Sequence, residues 1–172
     1  STLHARPTTK LLTSISNSSI KKLIVISEQG LGDTIQYMRY IKLLRQKGIK
    51  IYFCAQKQLH GLIQASNIVE DPILPERIGE IKNTQWLPLL SLPKNLEITP
   101  ENPIINEKYV FCTNELIQKW KKLIFNNKKK VIGINWQGNP SHERGLSRGR
   151  SLKLDCFANI ASNKSVTLLS LQ

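Results

Sequence analysis

Short apolar runs and amphipathic segments alternate along the first part of the chain. Residues 21–27 (KKLIVIS) hold a compact β-branched run, typical of a strand buried on both faces of a sheet. In residues 33–47 the apolar positions recur at every third residue, which predicts a helix with one buried face. These positions are Ile35, Met38, Ile41 and Leu44. Gly48 follows, and glycine is a common residue just past a helix C-terminus.

The pattern then repeats once. Residues 49–55 (IKIYFCA) predict a second strand, and residues 56–66 predict a short helix. Strands and helices that alternate with tight connections form βαβ units with a right-handed crossover. We therefore predict that segments 21–27 and 49–55 are neighbouring parallel strands, with helix 33–47 packed on one face.

The pattern weakens in residues 67–103, which contain six of the eight prolines. Short strands are predicted around Val69 and across residues 86–92. A stronger signal returns at residues 113–127, where Thr113 is a suitable N-cap for a helix with one apolar side and one lysine-rich side. The apolar side consists of Leu116, Trp120, Leu123 and Ile124.

A second α/β pattern begins after a basic connector. Residues 131–136 (VIGINW) predict a strand, residues 137–151 a polar loop, residues 152–161 a helix, and residues 165–172 another strand. This order predicts the start of a second Rossmann-like domain. The expected domains are a linker or flexible arm (1–19), a Rossmann-like domain (20–127), and a connector with the first βαβ of a further, truncated domain (128–172).

Charge and composition narrow the function classes. The chain of 172 residues has a net charge of +13, which suits an anionic partner such as nucleic acid, a phosphorylated sugar or an acidic membrane surface. A lysine-rich genome would give the same excess. The three cysteines are widely spaced without a CxxC pair, so neither a disulfide framework nor a metal site is expected. We expect a cytoplasmic protein with no membrane span.

The loop after the first strand contains Gly30 and Gly32, where a backbone turn can approach a ligand. A dinucleotide site needs a third glycine at the position of Ile35 and an acidic residue about 20 positions further on, and both are missing. Asp33 stands at the helix entrance instead. Its carboxylate could accept a proton from a hydroxyl nucleophile, or it could simply cap the helix.

The loop at residues 137–151 carries arginines and ends at Ser151, where the next helix is expected. Arg148 and Arg150 suit phosphate oxygens, and Ser151 could bond a phosphate or cap the helix. The alternative is a solvated basic loop. Trp136 could face a sugar or a base, or it could belong to the core.

Both loops resemble the signatures of a known family. The segment SEQGLGDTIQYMRYIKLLRQKG and the segment IGINWQGNPSHERGLSRGRSL with the terminal LLSLQ resemble heptosyltransferase-like glycosyltransferases, often fused behind tetratricopeptide repeats. The resemblance spans most of residues 21–172 and implies the GT-B architecture of two facing Rossmann domains. The run Glu143–Ser147 departs from the family pattern, so the donor, and activity itself, stay open.

The resemblance also implies residue roles. Asp33 aligns with the carboxylate that acts as general base, and the loop around it supplies candidate substrate-binding residues: Gln29, Gly30, Gly32 and Thr34. The candidates on the donor side are Trp136, Gly138, Asn139, Arg148, Arg150 and Ser151.

The expected activity is inverting, metal-independent transfer of a sugar from a nucleotide diphosphate sugar to a glycan, lipid or protein hydroxyl. No cofactor is expected, because the nucleotide diphosphate sugar is the donor substrate. Association with a membrane surface is left open. We expect the 172-residue chain alone to be inactive. The alternatives are a basic module that binds nucleic acid or another anion, although few aromatic residues accompany the lysines, and a non-catalytic scaffold derived from a transferase.

Overall fold

The computed structural model describes residues 3–15, 19–28, 30–103, 107–124, 129–138 and 151–172. The chain divides into two compact units, Ser1–Thr113 and Asn114–Gln172. The sequence placed the boundary between residues 127 and 128 instead. The helix that begins at Asn114 therefore belongs to the second unit, ahead of the strand that was expected to open it.

A four-stranded, all-parallel sheet forms the centre of the first unit. Its strands are β1 (Lys10–Leu11), β2 (Lys22–Ile26), β3 (Lys50–Cys54) and β4 (Gln85–Pro88), in the order β1-β4-β2-β3. The predicted parallel pairing of β2 with β3 is confirmed, and five residues of each strand are in register. This is a Rossmann-like α/β arrangement.

The predicted helix after β2 is two helices, α1 (Leu31–Tyr37) and α2 (Arg39–Gln46). Between them the Ile41 amide donates to the Met38 carbonyl at 3.1 Å, an i to i+3 bond that tightens the turn. Because Met38 is fully buried, the apolar stripe continues across this break, which explains why its spacing indicated one helix.

Gly48 lies just past the C-terminus of α2, as the sequence predicts. Gly48 has φ +80°, a left-handed conformation that favours glycine. Its amide donates to the Arg45 carbonyl at 2.9 Å, and the Ile49 amide donates to the Leu44 carbonyl at 3.1 Å. These two bonds form a Schellman motif, which satisfies the last carbonyls of the helix and turns the chain into β3.

Two apolar layers enclose the sheet because successive strand residues point to opposite faces. On β2, Leu23 and Val25 belong to the larger cluster, which includes Met38 and the buried Ile41 and Leu44 of α2. Ile24 and Ile26 belong to the smaller cluster on the other face. Burial on both faces explains the continuous apolar run that predicted this strand.

The proline-rich middle contributes one strand and several short helical turns. The strand expected at residues 86–92 is β4, which ends at Pro88 and lies between β1 and β2. No strand occurs at Val69, and Ile73 instead makes an isolated bridge to Cys54 at the outer side of β3. The predicted short helix before this stretch is α3 (His60–Ala65), and the stretch itself contains the four-residue α4 (Leu92–Asn95).

The N-terminal segment is part of the first unit rather than a free arm over its described residues. Strand β1 pairs with β4, and the Leu12 amide extends the ladder to the Trp86 carbonyl at 2.9 Å. Ala5, Leu12 and Ile15 are buried. The many Ser and Thr residues of this segment suggested a linker, but the segment buries these three apolar side chains in the first unit.

The second unit contains a small parallel sheet. Helix α5 (Asn114–Ile124) is followed by β5 (Lys130–Ile134), α6 (Ala158–Ala161) and β6 (Val166–Ser170), and β5 pairs with β6 in parallel. The predicted order of strand, helix and strand is thus confirmed. Much of the apolar surface is open, however. The exposed large side chains here are Leu116, Trp120, Leu123, Ile132, Leu152, Leu154, Ile160 and Leu171.

Helix α5, with 11 residues, is the longest among the described residues. None of the helices in the described residues has both the length and the apolar character needed to cross a bilayer.

The three cysteines should differ sharply in reactivity. Cys54 lies buried in β3, where burial and the nearby carboxylate of Glu76 raise the pKa of its thiol to about 12. The reactive species is the thiolate, so Cys54 should resist a chromogenic disulfide reagent at about pH 8. Cys112 and Cys156 are exposed and should react rapidly. Fast labelling of three thiols before denaturant is added would contradict this.

Candidate functional site

The carboxyl ends of β2, β3 and β4 meet at one edge of the first sheet. Ile26 is in register with Cys54 on one side and with Pro88 on the other. The loops that follow these strands are therefore neighbours, and the Ser27 amide joins the first two by donating to the Cys54 carbonyl at 2.9 Å. Open parallel sheets bind ligands at this edge.

Glu28 connects the loop after β2 with the loop after β4. Its Oε2 accepts a hydrogen bond from the Leu90 amide at 2.9 Å, and the residue is only 8% exposed. A carboxylate is placed here because the amide of Leu90 needs an acceptor at a half-buried position.

Thr34 connects α1 with the loop after β3. It is 1% exposed, and its Oγ1 donates to Gln56 Oε1 at 3.0 Å and lies 3.3 Å from the Gly30 carbonyl oxygen. The sequence proposed Thr34 as a substrate-binding residue. Its hydroxyl is engaged inside the protein, so the structure favours a positioning role in which Thr34 orients Gln56.

Asp33 lies in the first turn of α1, on the surface. The N-cap of the helix is Gly30, and no side chain makes a capping bond there. Asp33 is therefore three positions inside the helix and is not its N-cap. A carboxylate in a first turn is favoured by the helix dipole, and this one is also accessible to a ligand at the sheet edge.

Gly30 and Gly32 add no side chains to the surface beside Asp33. Gly30 has an ordinary φ of −66°, and a Cβ added there would lie 3.7 Å from Asp33 Oδ2, which is normal contact. A Cβ at Gly32 would meet nothing within 4 Å. Backbone geometry therefore requires neither glycine, and their effect is to leave room beside the carboxylate.

Two histidines at this edge were not predicted as site residues. His60 Nε2 lies 3.0 Å from the Ala55 carbonyl oxygen, so this nitrogen carries the proton. His4 Nδ1 lies 2.8 Å from the Ser27 carbonyl oxygen, and the His4 amide donates to the same oxygen at 3.1 Å. His60 follows β3 closely, which is a usable sequence signal, whereas His4 reaches the edge through tertiary packing.

Three of the donor-side candidates lie at the carboxyl end of β5, where two hydrogen bonds involve them. The Gly138 amide donates to Ser151 Oγ at 3.0 Å, and the Leu152 amide donates to the Trp136 carbonyl at 2.8 Å. Trp136, Gly138 and Ser151 are all half-buried. The two ends of the polar loop are thus joined at the sheet edge, where Gln172 Oε1 also accepts from the Gln137 amide at 2.9 Å.

Four candidate residues lie outside the described residues: Gln29, Asn139, Arg148 and Arg150. Their proposed roles stay predictions. Among the residues that the structure does describe, no group of three His, Cys, Asp or Glu side chains is arranged to hold a metal ion.

The bond between Glu28 and Leu90 should be measurable in the stability of the first unit. Glu28→Ala leaves the Leu90 amide without this acceptor and should lower the free energy of unfolding by about 1–3 kcal/mol. Glu28→Gln keeps an acceptor oxygen and should lose less. Urea denaturation of both variants gives the comparison, and equal losses would show that the acceptor oxygen is not what matters.

No protein-family model, curated protein or solved structure matches this chain.

Proposed function

We propose that this chain forms part of a GT-B-type glycosyltransferase that moves a sugar from a nucleotide diphosphate sugar to a hydroxyl acceptor. The observation that carries the proposal is the exposed Asp33 carboxylate in the first turn of α1, the helix that follows β2, with Gly30 and Gly32 shortly before it. A carboxylate held at a sheet edge and open to solvent suits the deprotonation of a hydroxyl.

The transfer would be an inverting displacement. The acceptor oxygen attacks the anomeric carbon while its proton passes to Asp33. The bond between that carbon and the diphosphate oxygen breaks, and the electron pair leaves with the nucleotide diphosphate. Thr34 and Glu28 support this step indirectly, since they fix the loops on either side through Gln56 and Leu90.

The second unit would hold the donor. Its parallel β5–β6 pair offers the same kind of sheet edge, and the Gly138–Ser151 bond closes the loop that carries Arg148 and Arg150. Arginine side chains would offset the charge of the leaving diphosphate in place of a metal ion. The acceptor would be a glycan, a lipid or a protein hydroxyl.

Amide chemical shifts can test the donor site. Titration of the ¹⁵N-labelled chain with uridine, adenosine and guanosine diphosphate sugars should move the amides of Gly138 and Ser151. Ser151→Ala should weaken this response, whereas Ser162→Ala, which alters an exposed hydroxyl elsewhere in the unit, should not. Shifts confined to the first unit, or identical shifts with inorganic pyrophosphate alone, would contradict a nucleotide-sugar site.

A cluster on the first unit favours a second candidate, an anion-binding module for single-stranded nucleic acid. The Arg39 guanidinium lies 4.5 Å from the centre of the Tyr109 ring, and the Lys42 and Lys108 ammonium groups lie 5.5 Å and 5.1 Å from that of Phe111. Basic and aromatic groups together are typical of such surfaces. Sub-micromolar binding of a random oligonucleotide that weakens steeply with salt would favour this candidate.

A further inference from the structure

Helix α5 exposes an apolar stripe, although most helices of globular proteins bury theirs. Leu116, Trp120 and Leu123 are 46%, 50% and 62% exposed, and α5 has no buried residue. At 3.6 residues per turn these side chains and the half-buried Ile117 and Ile124 fall within an arc of about 120°. The helix thus presents one continuous apolar face.

Lysines border this apolar face on both sides. By helical spacing, Lys119 lies beside Leu123 and Lys121 lies beside Ile117. The Lys119 ammonium is 5.9 Å from the centre of the Trp120 ring. The helix contains one acidic residue, Glu115, which lies away from the apolar arc. The charged side chains next to the apolar face are therefore lysines.

We infer that α5 docks in the surface of an anionic lipid bilayer, with its apolar face among the acyl chains and its lysines at the headgroups. Amphipathic helices of this kind combine leucine and tryptophan on one face with lysines near the other. The exposed Lys129 and Lys130 follow the helix and add charge of the same sign. The inference is independent of the proposed transferase activity.

The charge pattern favours a bilayer over a second copy of this chain. A second protein copy would carry the same lysines, so a symmetric pair of α5 helices would bring like charges together. The other exposed apolar residues of the second unit lie on β5, on a four-residue helix and in loops, without a lysine on each flank of a helical face. Only α5, among the described helices, pairs an open apolar face with a basic border.

Vesicle co-sedimentation tests the inference directly. The chain should bind vesicles of equal phosphatidylglycerol and phosphatidylcholine, and should bind pure phosphatidylcholine far less. Raising the salt from about 0.1 M to about 1 M shortens the Debye length from roughly 10 Å to roughly 3 Å and should release most of the protein. Failure to bind the anionic vesicles, or equal binding to both kinds, would overturn the inference.

Matched lysine variants distinguish the effect of the lysines beside the α5 apolar face from the effect of total charge. Each lysine near an anionic surface contributes about fivefold, so Lys119→Gln with Lys121→Gln should lower vesicle partitioning roughly 25-fold. Lys57→Gln with Lys82→Gln removes the same charge from exposed sites on the first unit and should have little effect. Equal losses in both double variants would mean that net charge, not α5, drives binding.

Tryptophan fluorescence reports whether the apolar face itself enters the bilayer. Anionic vesicles should shift the emission of the wild-type chain to shorter wavelength, and Trp120→Phe should abolish this shift while sedimentation persists. If the shift survives in Trp120→Phe, another region inserts and the inference fails. It also fails if sedimentation equilibrium shows a dimer that Leu123→Ser dissociates, because α5 would then face a second copy.

Discussion

In the full-length transferase proposed above, replacing Asp33 with asparagine should lower the rate of sugar transfer by about 10²-fold or more, a loss typical of a missing general base. The amide has nearly the same shape as the carboxylate but cannot take the acceptor proton. Because Asp33 is exposed and makes no capping bond, the free energy of unfolding should change little. The readout is release of nucleotide diphosphate in the presence of acceptor, with urea denaturation run in parallel.

Asp155 provides the matched control for this experiment. It is also exposed and also lies in the first turn of a short helical segment, but in the second unit. Asp155→Asn removes the same charge and should keep normal turnover. Near-normal turnover of Asp33→Asn would remove this carboxylate from the mechanism, while equal losses in both variants would point to net charge instead.

Replacing Phe53 with alanine should cost roughly 3–5 kcal/mol in the free energy of unfolding. Phe53 is among the largest fully buried side chains, and it lies in β3 within the larger core cluster. Natural domains are stable by only about 5–15 kcal/mol, so this variant could unfold much of the first unit. Urea denaturation followed by the fluorescence of Trp86, which lies on β4, reports on that unit.

Phe111→Ala is the matched control, because it makes the same substitution at an exposed phenylalanine. It belongs to the first unit but is 40% exposed, so Phe111→Ala should cost only about 1 kcal/mol. If the two alanine variants lost similar stability, the burial of Phe53 could not be the cause of its effect.

The central elements of the first unit could be read from the sequence because their signals are local. The runs at residues 21–27 and 49–55 are apolar and β-branched, and Gly48 occupies the one positive φ among the described glycines. The two-residue strand β1 gives no such signal. Its pairing with β4, and the position of β4 between β1 and β2, depend on contacts between residues far apart in the chain.

In the candidate site, too, features with a local sequence signal could be predicted and features that depend on distant residues could not. Asp33 could be placed at the sheet edge from its position after a predicted strand. The burial of Glu28 could not, because its partner Leu90 lies 62 positions further on. Thr34 was expected to meet a ligand, and nothing in the local sequence indicates that Gln56 takes up its hydroxyl.

The pairing of β1 with β4 has a consequence for handling the protein. Without residues 10–12, β4 would become an outer strand with unpaired amides and carbonyls next to Trp86. Bare strand edges of this kind recruit strands from other molecules. Deleting this Ser- and Thr-rich segment should therefore make the protein prone to aggregation. A cleavable tag should be added before the segment and should not replace it.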